Sequence, residues 1–490
     1  MAIGAALLAL WGCEGCGSGE TPRNDPSPAN LVLLTIDTLR PDHLACYGYE
    51  RVTSPRIDAL AERGVLLANA FAPRGSTWPS LTSLHTGKYP ATHGVRNNGE
   101  TLSEAHVTLA QHLRARGYRT AAFLSNFRQA PNRGFDVVWG LEDDIGALKH
   151  VQPQYLWDEA ITDRAVEWLR RESPDQPFFL WVHYMDPHED YLPPPPFHHR
   201  FTDPAYAGQT TGRADSLMNA TLQRGDLPQS ELDHVLGLYD GQIASTDRLL
   251  GRVLDELEAL GLGGSTLVVF TSDHGEELYQ HNRYFFHAAS IYDTVLRVPL
   301  VMSWPGHLPE GRRVESTVEI VDLVPTLTDL LGLDDVKDPA LDGESLLPLL
   351  RGDARTRSKS HTFHEWSSTE TGAGGPLETI FAVREGRLKL IENPGEIHPD
   401  NPPFRRTGQG FVLARRELYD LIADPGEKRN LLDQDIEGKW RAEADRLART
   451  LEEWKKQQGL KATVSGEITE DMRRELKALG YLTDEDEDGK

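Results

Sequence analysis

The chain predicts an α/β fold around a mainly parallel sheet buried on both faces. Short apolar runs rich in Val, Ile, Leu and Phe alternate along it with amphipathic stretches of helical period. The runs lack the every-second-residue polarity of a sheet wetted on one side. Of the 490 residues, 39% are hydrophobic, enough for one large core and a smaller companion. Three of the runs end in acidic or histidine-bearing turns, where open parallel sheets hold their ligands.

LVLLTID at 31–37 reads as the first strand, followed by helical patterns from Arg56 to Gly64 and from Thr108 to Gly117 and by the strand RTAAFLS at 119–125. A helix is expected from Glu159 to Arg171, then the strand PFFLWVHYM at 177–185, a long helix from Glu231 to Leu260, and the strands STLVVFTSD at 265–273 and VPLVMSW at 298–304. LPPPPFHHRFTDPAYAGQTTGRAD at 192–215 is too rich in Pro, Gly and polar residues for a core element. A loop of that length reads as a lid or mobile segment on the rim of the site. After Gly375 the texture shifts to FAVREGRLKLIE at 381–392, RRELYDL at 415–421 and an amphipathic helix near Trp440 to Lys456, a small α+β subdomain. The expected organisation is 1–29 signal and linker, 30–375 catalytic α/β domain, 376–460 C-terminal subdomain, and 461–490 a helical and acidic tail.

A formal net charge of −24, from 51 Lys and Arg against 75 Asp and Glu, opposes nucleic acid and anionic membrane surfaces as general partners. Cys13 and Cys16 lie near the start and Cys46 stands alone in the body, so no disulfide framework is expected. MAIGAALLALWGCEGCGSGE resembles a bacterial lipoprotein signal with Cys13 lipidated; an ordinary secretion signal is the alternative. Either reading exports the catalytic body, to the periplasm or as a membrane-anchored lipoprotein. Membrane contact is then limited to the lipid on Cys13, because no other run is long enough to span a bilayer.

Asp37 follows the first strand, Asp186 and His188 follow FFLWVHYM, and Asp273 with His274 follows LVVFTS. Strand ends distant in sequence would bring these carboxylates and imidazoles into one crevice, where uncompensated charge is costly, so a divalent metal is expected. Taken singly, each residue reads equally well as a cap or turn residue. Thr77, in GSTWPSLTSLHTGKYPATHGV, precedes Pro79 at a helix start. The positive end of that helix favours an alkoxide and an incoming anion. A metal-activated threonine there could attack phosphorus or sulfur and form a covalent intermediate. From this segment alone, Thr77 as a simple capping residue is the equal alternative.

From Asn30 to about Leu432 the chain resembles the sulfatase family of the alkaline phosphatase superfamily. IDTLRPDHLACYGY, TGKYPATHGV, TLAQHLRARGYRTAAF, TSDHGEE, SIYDTVLRVPLVMSWPG, VDLVPTLTDLLGL, LDGESLLPLL and ELYDLIADPGEKRNLL stand in the family's order. The resemblance implies an alkaline-phosphatase-like sandwich with a small C-terminal sheet. It carries Asp37, Asp273 and His274 onto metal-ligand positions and Thr77 onto the nucleophile, which also meets the metal. His188 falls on the histidine that contacts the substrate oxyanion or leaving group. His287, in YFFHAASIYD, stands where sulfatases usually carry a sulfate-binding lysine; it binds the oxyanion, ligates a second metal or protonates the leaving group. Arg40 and Lys88 are candidates for positive charge beside the site, and Asp186 and His281 are placed by proximity, each with an ordinary structural role as its alternative.

The departures from the family are specific. Thr38 replaces the second of the paired aspartates, the Lys-x-His segment is missing, with FLSNFRQ in its neighbourhood, and Leu81 replaces the arginine four residues after the nucleophile. Formylglycine is matured from cysteine or serine, so none is expected here. The Thr-x-Pro context is instead similar to the nucleotide pyrophosphatase/phosphodiesterase and phosphonate hydrolase branches. The expectation is an exported metal-dependent hydrolase of phosphate or sulfate esters acting on a small molecule or glycan. His274 favours zinc or manganese, with calcium admissible. Its alternatives are a sulfatase working without formylglycine and a catalytically silent binding lipoprotein. His364, Glu365 and Trp366 are candidate pocket contributors from the C-terminal lobe.

Overall fold

NLVLLTI forms the central strand β1 (Asn30–Ile36), buried at every position. It lies parallel between β5 (Phe178–Tyr184) and β6 (Thr266–Ser272), which are equally buried, as their unbroken apolar sequences require. The computed structural model describes residues 29–459 apart from 126–130, 141–154, 172–175, 224–226, 282–284, 288–289, 334–339, 353–358, 368–378, 394–395, 398–410, 413 and 434. The expected signal with Cys13, the acidic tail and most of FLSNFRQ lie outside the described residues.

The main sheet has the order β11-β2-β10-β6-β1-β5-β3-β4, nine strands of the described residues once β9 is added beside β2. On one side β3 (Arg119–Leu124) and β4 (Val137–Gly140) continue the parallel run. On the other, β10 (Leu300–Ser303) runs antiparallel between β6 and β2 (Val65–Phe71), while β11 (Arg312–Glu319) is parallel to β2. The expected strand at 298–304 is divided at Pro299, which has no N–H for a ladder; β9 (Arg297–Val298) pairs β2 before it and β10 follows. A short ribbon of β7 (Glu277–Leu278) and β8 (Phe285–Phe286) precedes them.

Successive side chains of β1 point to opposite faces and so build two cores. Val32, Leu34 and Ile36 pack with residues of α1 (Pro55–Glu62), α5 (Tyr155–Arg171) and α7 (Gln229–Ala259). Leu31 and Leu33 pack with α2 (Thr77–Thr86), α4 (Leu109–Arg114) and α9 (Leu323–Leu330). Helix α4 starts on a capping box, in which Thr108 accepts from Gln111 N and the Gln111 side chain returns to Thr108 N. Short helices α3 (Pro90–His93), α8 (Asp293–Leu296) and α10 (Leu347–Arg351) and the ten-residue α6 (Ala214–Gln223) fill the connections. No described helix is long and apolar enough to cross a membrane.

The proline-rich stretch at 192–215 lies along α7 rather than standing free. A Cβ on Gly237 would meet Phe201 O at 2.6 Å and one on Gly241 would meet Phe197 O at 2.8 Å, so two helix glycines admit the loop backbone. Tyr191 N also donates to Gly212 O, closing the loop's ends.

The small sheet has the antiparallel order β12 (His361–Ser367), β13 (Thr379–Glu385), β14 (Leu388–Glu392) and β17 (Arg416–Asp420). A separate pair joins β15 (Glu396–Ile397) to β16 (Phe411–Val412). The first strand of the small sheet therefore comes ahead of residue 375, where the sequence texture changes. Val383, Leu390 and Leu418 face α11 (Lys439–Gln457), whereas Ala382, Ile391 and Tyr419 join the main core. Both faces are thus buried. Trp366 belongs to that main core, His364 Nδ1 donates to Ala72 O at 2.9 Å, and the Glu365 carboxylate takes a two-pronged bond from Arg96 at 2.8 and 3.1 Å. These three candidate pocket residues dock the lobes together.

Candidate active site

The carboxyl ends of β1 and β6 are stitched together before any side chain enters the crevice. Asp37 N donates to Tyr184 O at 2.9 Å, and Ser272 Oγ lies 2.6 Å from both Ile36 O and His274 O. Thr38 takes a left-handed φ of 54°, unusual for a residue with a Cβ. Its N–H donates to Asp273 Oδ1 at 3.3 Å and its carbonyl accepts from Tyr239 OH at 2.7 Å. That turn leaves Asp37 Oδ1 and Asp273 Oδ2 buried without a hydrogen-bond partner. Both oxygens approach His274 Nε2, at 3.7 and 3.4 Å. His274 Nδ1 lies 3.0 Å from Gly275 O, an obligate acceptor, so its proton sits on Nδ1 and the Nε2 lone pair faces the carboxylates.

Thr77 opens α2, whose N-cap is Ser76, so the threonine does not cap the helix. Its hydroxyl stands 3.4 Å from Asp37 Oδ2 and 3.4 Å from His274 Nε2. A further donor was not legible from the strand pattern. His183, inside β5, pairs in register with Thr35, turns Nδ1 to the Thr35 hydroxyl at 2.8 Å and brings Nε2 to 3.7 Å from Asp37 Oδ2. Asp37, His183 and Asp273 offer donor atoms within 4.8 Å of one another. The available signal was a histidine in the middle of an otherwise apolar buried run.

A second cluster adjoins the first. The His287 ring lies 4.5 Å from that of His274 and 5.2 Å from that of His188. His287 Nδ1 meets Glu276 Oε1 at 3.2 Å, and His188 Nδ1 meets the Glu189 carbonyl at 2.8 Å and its carboxylate at 3.1 Å. Glu189 and Glu276 were not singled out in the sequence, although both sit inside the motifs DPHED and TSDHGEE.

The electrostatics are those of a site short of positive charge. Burial by itself raises the Asp37 carboxyl, but the hydrogen bond from His183 and the charge of His188 lead the effects that outweigh it and hold the group well below the carboxylate range. Burial and the neighbouring Asp37 charge push Asp273 up to about 7. Burial likewise lifts Glu189 to about 7 and Glu276 to about 8. Burial lowers His274, keeping its Nε2 unprotonated. Two orphaned carboxylate oxygens and a fixed imidazole lone pair, all dry, fit a divalent cation.

The remaining candidates occupy supporting places. The Arg40 guanidinium bonds Asp42 at 2.6 and 2.9 Å and holds Glu276 O and Gln280 Oε1, each at 3.0 Å, bracing the loop that carries Glu276. Lys88 lies beyond the far end of α2, about 15 Å of helix from Thr77, with Nζ 3.5 Å from His106 Nδ1. Asp186 turns to α7, accepting from Gln242 at 2.9 Å. His281 bridges the lobes between Glu277 and Gly426 O, stacked on Tyr292. Leu81, at the position of the missing arginine, is wholly buried in the core on the α2 side.

The Sulfatase family model matches residues 29–333, and one described as N-sulphoglucosamine sulphohydrolase, C-terminal, matches 281–399. The chain is 24% identical to the N-acetylglucosamine-6-O-sulfatase of Bacteroides thetaiotaomicron over 92% of this chain and 90% of that protein. It is 26% identical to arylsulfatase A of Homo sapiens over 83% of each. Among solved structures, the phosphonate monoester hydrolase of Agrobacterium radiobacter superposes with a TM-score of 0.68 at 24% identity, covering 90% of this chain and 98% of that one. A structure in complex with its substrate D-glucosamine-2-N,6-O-disulfate gives a TM-score of 0.71 at 21% identity, covering 90% and 100%. The structural likenesses establish a shared fold.

Proposed function

The chain belongs to the sulfatase family, and from that premise we propose an exported, metal-dependent hydrolase that cleaves phosphate or sulfate esters with Thr77 as nucleophile. The observation that carries the reading is the Thr77 hydroxyl, placed 3.4 Å from both Asp37 and the His274 lone pair at the positive end of a buried ten-residue helix.

Asp37, Asp273, His274 and His183 would hold the cation, which when bound lowers the pKa of the hydroxyl and screens the incoming anion. The imidazoles in this set favour zinc or manganese over calcium, which prefers an all-oxygen shell. Thr77 Oγ1 gives its proton to an adjacent acceptor and attacks phosphorus or sulfur. The bond to the departing ester oxygen breaks as the new one forms, and that oxygen leaves as an alcohol after taking a proton. Water then cleaves the covalent threonine ester, restoring the hydroxyl and releasing the sulfate, phosphate or phosphonate anion. His188 and His287 make the electrophilic wall facing the transferred group and the leaving oxygen. Threonine cannot be matured to formylglycine, and Leu81 lies in the core, so the formylglycine route is set aside.

The substrate class is a sulfate, phosphate or phosphonate ester of a small molecule or glycan. Sulfated glucosamine in a related structure and phosphonate monoesters in another frame that range. Export to the periplasm, with a lipid on Cys13, rests on the N-terminal sequence. A panel of aryl sulfate, phosphomonoester, phosphodiester and phosphonate monoester, run on zinc- or manganese-loaded enzyme, tests the reading. Thr77→Ala should cost 10³-fold or more, about 4 kcal/mol, on the preferred ester, with Thr77→Ser retaining part of it. Identical rates for Thr77→Ala and wild type would replace the hydrolase with a binding protein. The sulfatase relatives favour a second reading, in which sulfate esters are the specific substrate; a clear aryl sulfate preference selects it.

A further inference from the structure

We propose that Arg74 is a positioning residue for the Thr77 hydroxyl, acting through Ser76, an inference that rests on the nucleophile reading above. Arg74 stands three residues ahead of Thr77, is 1% exposed and is among the largest side chains that the fold buries. Its Nε donates to Ser76 Oγ at 3.0 Å, and a terminal nitrogen donates to Asn97 Oδ1 at 3.1 Å. One planar fork therefore ties the turn that carries Thr77 to a second loop.

The serine can take this bond because the helix does not use it. Ser76 is the N-cap of α2, where a serine oxygen ordinarily accepts from the second or third N–H of the helix. Here the third residue is Pro79, which has no N–H, and Trp78 N already donates to Asn98 Oδ1 at 3.0 Å. Ser76 makes no side-chain cap bond, and its hydroxyl turns to Arg74 instead. Gly75, between the two, has no room for a Cβ against Val295, so the turn is closely packed as well as bonded. A displaced Ser76 would move the start of α2, and with it the Thr77 hydroxyl that stands 3.4 Å from Asp37 and His274.

The other prong is anchored independently. The Glu100 carboxylate accepts from Arg96 N at 2.5 Å, Asn97 N at 3.0 Å and Asn97 Nδ2 at 2.9 Å. That fixes the Asn97 amide with Oδ1 toward Arg74. From the second lobe, Glu365 Oε1 lies 3.9 Å from the Arg74 guanidinium, and Glu365 N donates to Pro73 O at 3.1 Å. Burial lowers the Arg74 guanidinium to about 10, which leaves it charged at neutral pH. Two bonds in fixed directions make a brace, and a lysine would supply the charge without the fork.

The test is a kinetic cycle on the full-length, metal-loaded protein with the preferred ester of the panel, with melting temperature and bound metal read for every variant. Arg74→Met should lower kcat about 10²-fold and leave KM within about twofold of wild type, the mark of an interaction realised in the transition state. Arg74→Lys should recover little of that loss. Ser76→Ala should reproduce most of it, and Arg74→Met/Ser76→Ala should be no slower than Arg74→Met. Additive losses in the pair, or wild-type kcat per folded molecule in Arg74→Met, overturn the proposal. A raised KM at unchanged kcat also overturns it, because Arg74 would then bind the substrate anion, and so does a loss of kcat matched by loss of metal. Thr77→Ala separates the two readings: wild-type turnover there removes the nucleophile and the brace together, whereas an inactive Thr77→Ala beside a fully active Arg74→Met removes the brace alone. If Arg74→Met does not fold, Ser76→Ala decides, and an unchanged kcat in that variant counts against the proposal.

Discussion

Two parts of the molecule bury several carboxylates each and treat them in opposite ways. Where the lobes meet, Lys389 Nζ lies 2.8 Å from both Asp293 Oδ1 and Glu427 Oε1, and Arg384 adds a bond to Asp293 Oδ2 at 2.9 Å. Burial raises Asp293, but Lys389 and Arg384 hold it well below the carboxylate range. In the crevice above β1 and β6, Asp37 and Asp273 have histidines and each other, and each keeps an oxygen without a hydrogen bond. A buried acid that the chain answers with its own lysine serves the fold. On the reading proposed above, a buried acid left unanswered is one that takes a cation from solution.

That contrast can be broken at either end. The largest effect should come from Asp273→Asn, which should lower turnover by at least about 10⁴-fold, roughly 5 kcal/mol, in steady-state assays of the metal-loaded enzyme. The same substitution should raise the melting temperature of the chelated protein. Burial and the Asp37 charge push Asp273 up to about 7, so its ionisation opposes folding by an amount that builds up from its ordinary pKa to about 7 and is complete above it. A chelated variant melting below wild type at pH 8 would contradict the charge argument. Lys389→Met should do the reverse, costing about 3–5 kcal/mol in denaturant unfolding by stranding Asp293 and Glu427, with turnover per folded molecule kept. Zinc at 100 times its Kd should stabilise wild type by about 2.7 kcal/mol in thermal scans and Asp37→Asn/Asp273→Asn by much less.

The smallest effect belongs to His281. Burial lowers this group, but the Glu277 carboxylate more than compensates and raises it overall. Its contribution is therefore complete below the ordinary histidine pKa and is lost as pH rises through the folded value. His281→Asn should cost roughly 1.5 kcal/mol at pH 6 and progressively less at alkaline pH. A difference that stays constant from pH 6 to 9 would mean that the charge on His281 contributes nothing.

Much of this was legible because strand ends announce themselves. LVLLTID and LVVFTSDH show where a buried strand stops and a carboxylate begins, and the mostly parallel sheet with its small companion follows from the same alternation. His183 was not legible, because a histidine within an apolar run looks like core. Its meeting with Asp37 depends on a register between Thr35 and His183, 148 residues apart. The antiparallel setting of β10 escaped notice for a related reason: an apolar run encodes burial and not direction. Arg40 and Lys88 were adjacent to the motifs in sequence, but α2 carries Lys88 away and Arg40 turns toward Asp42. His364, Glu365 and Trp366 announced a functional lobe and proved to be its attachment.

The attachment falls at one particular place on the chain. His364 and Glu365 hold the backbone of Ala72 and Pro73, four to five residues ahead of Thr77, and Glu365 also holds Arg96. During synthesis Thr77 emerges nearly three hundred residues before these partners do. The turn that carries Thr77 would then be among the last parts of the molecule to settle, and the proposed activity would wait until the second lobe arrived to set it.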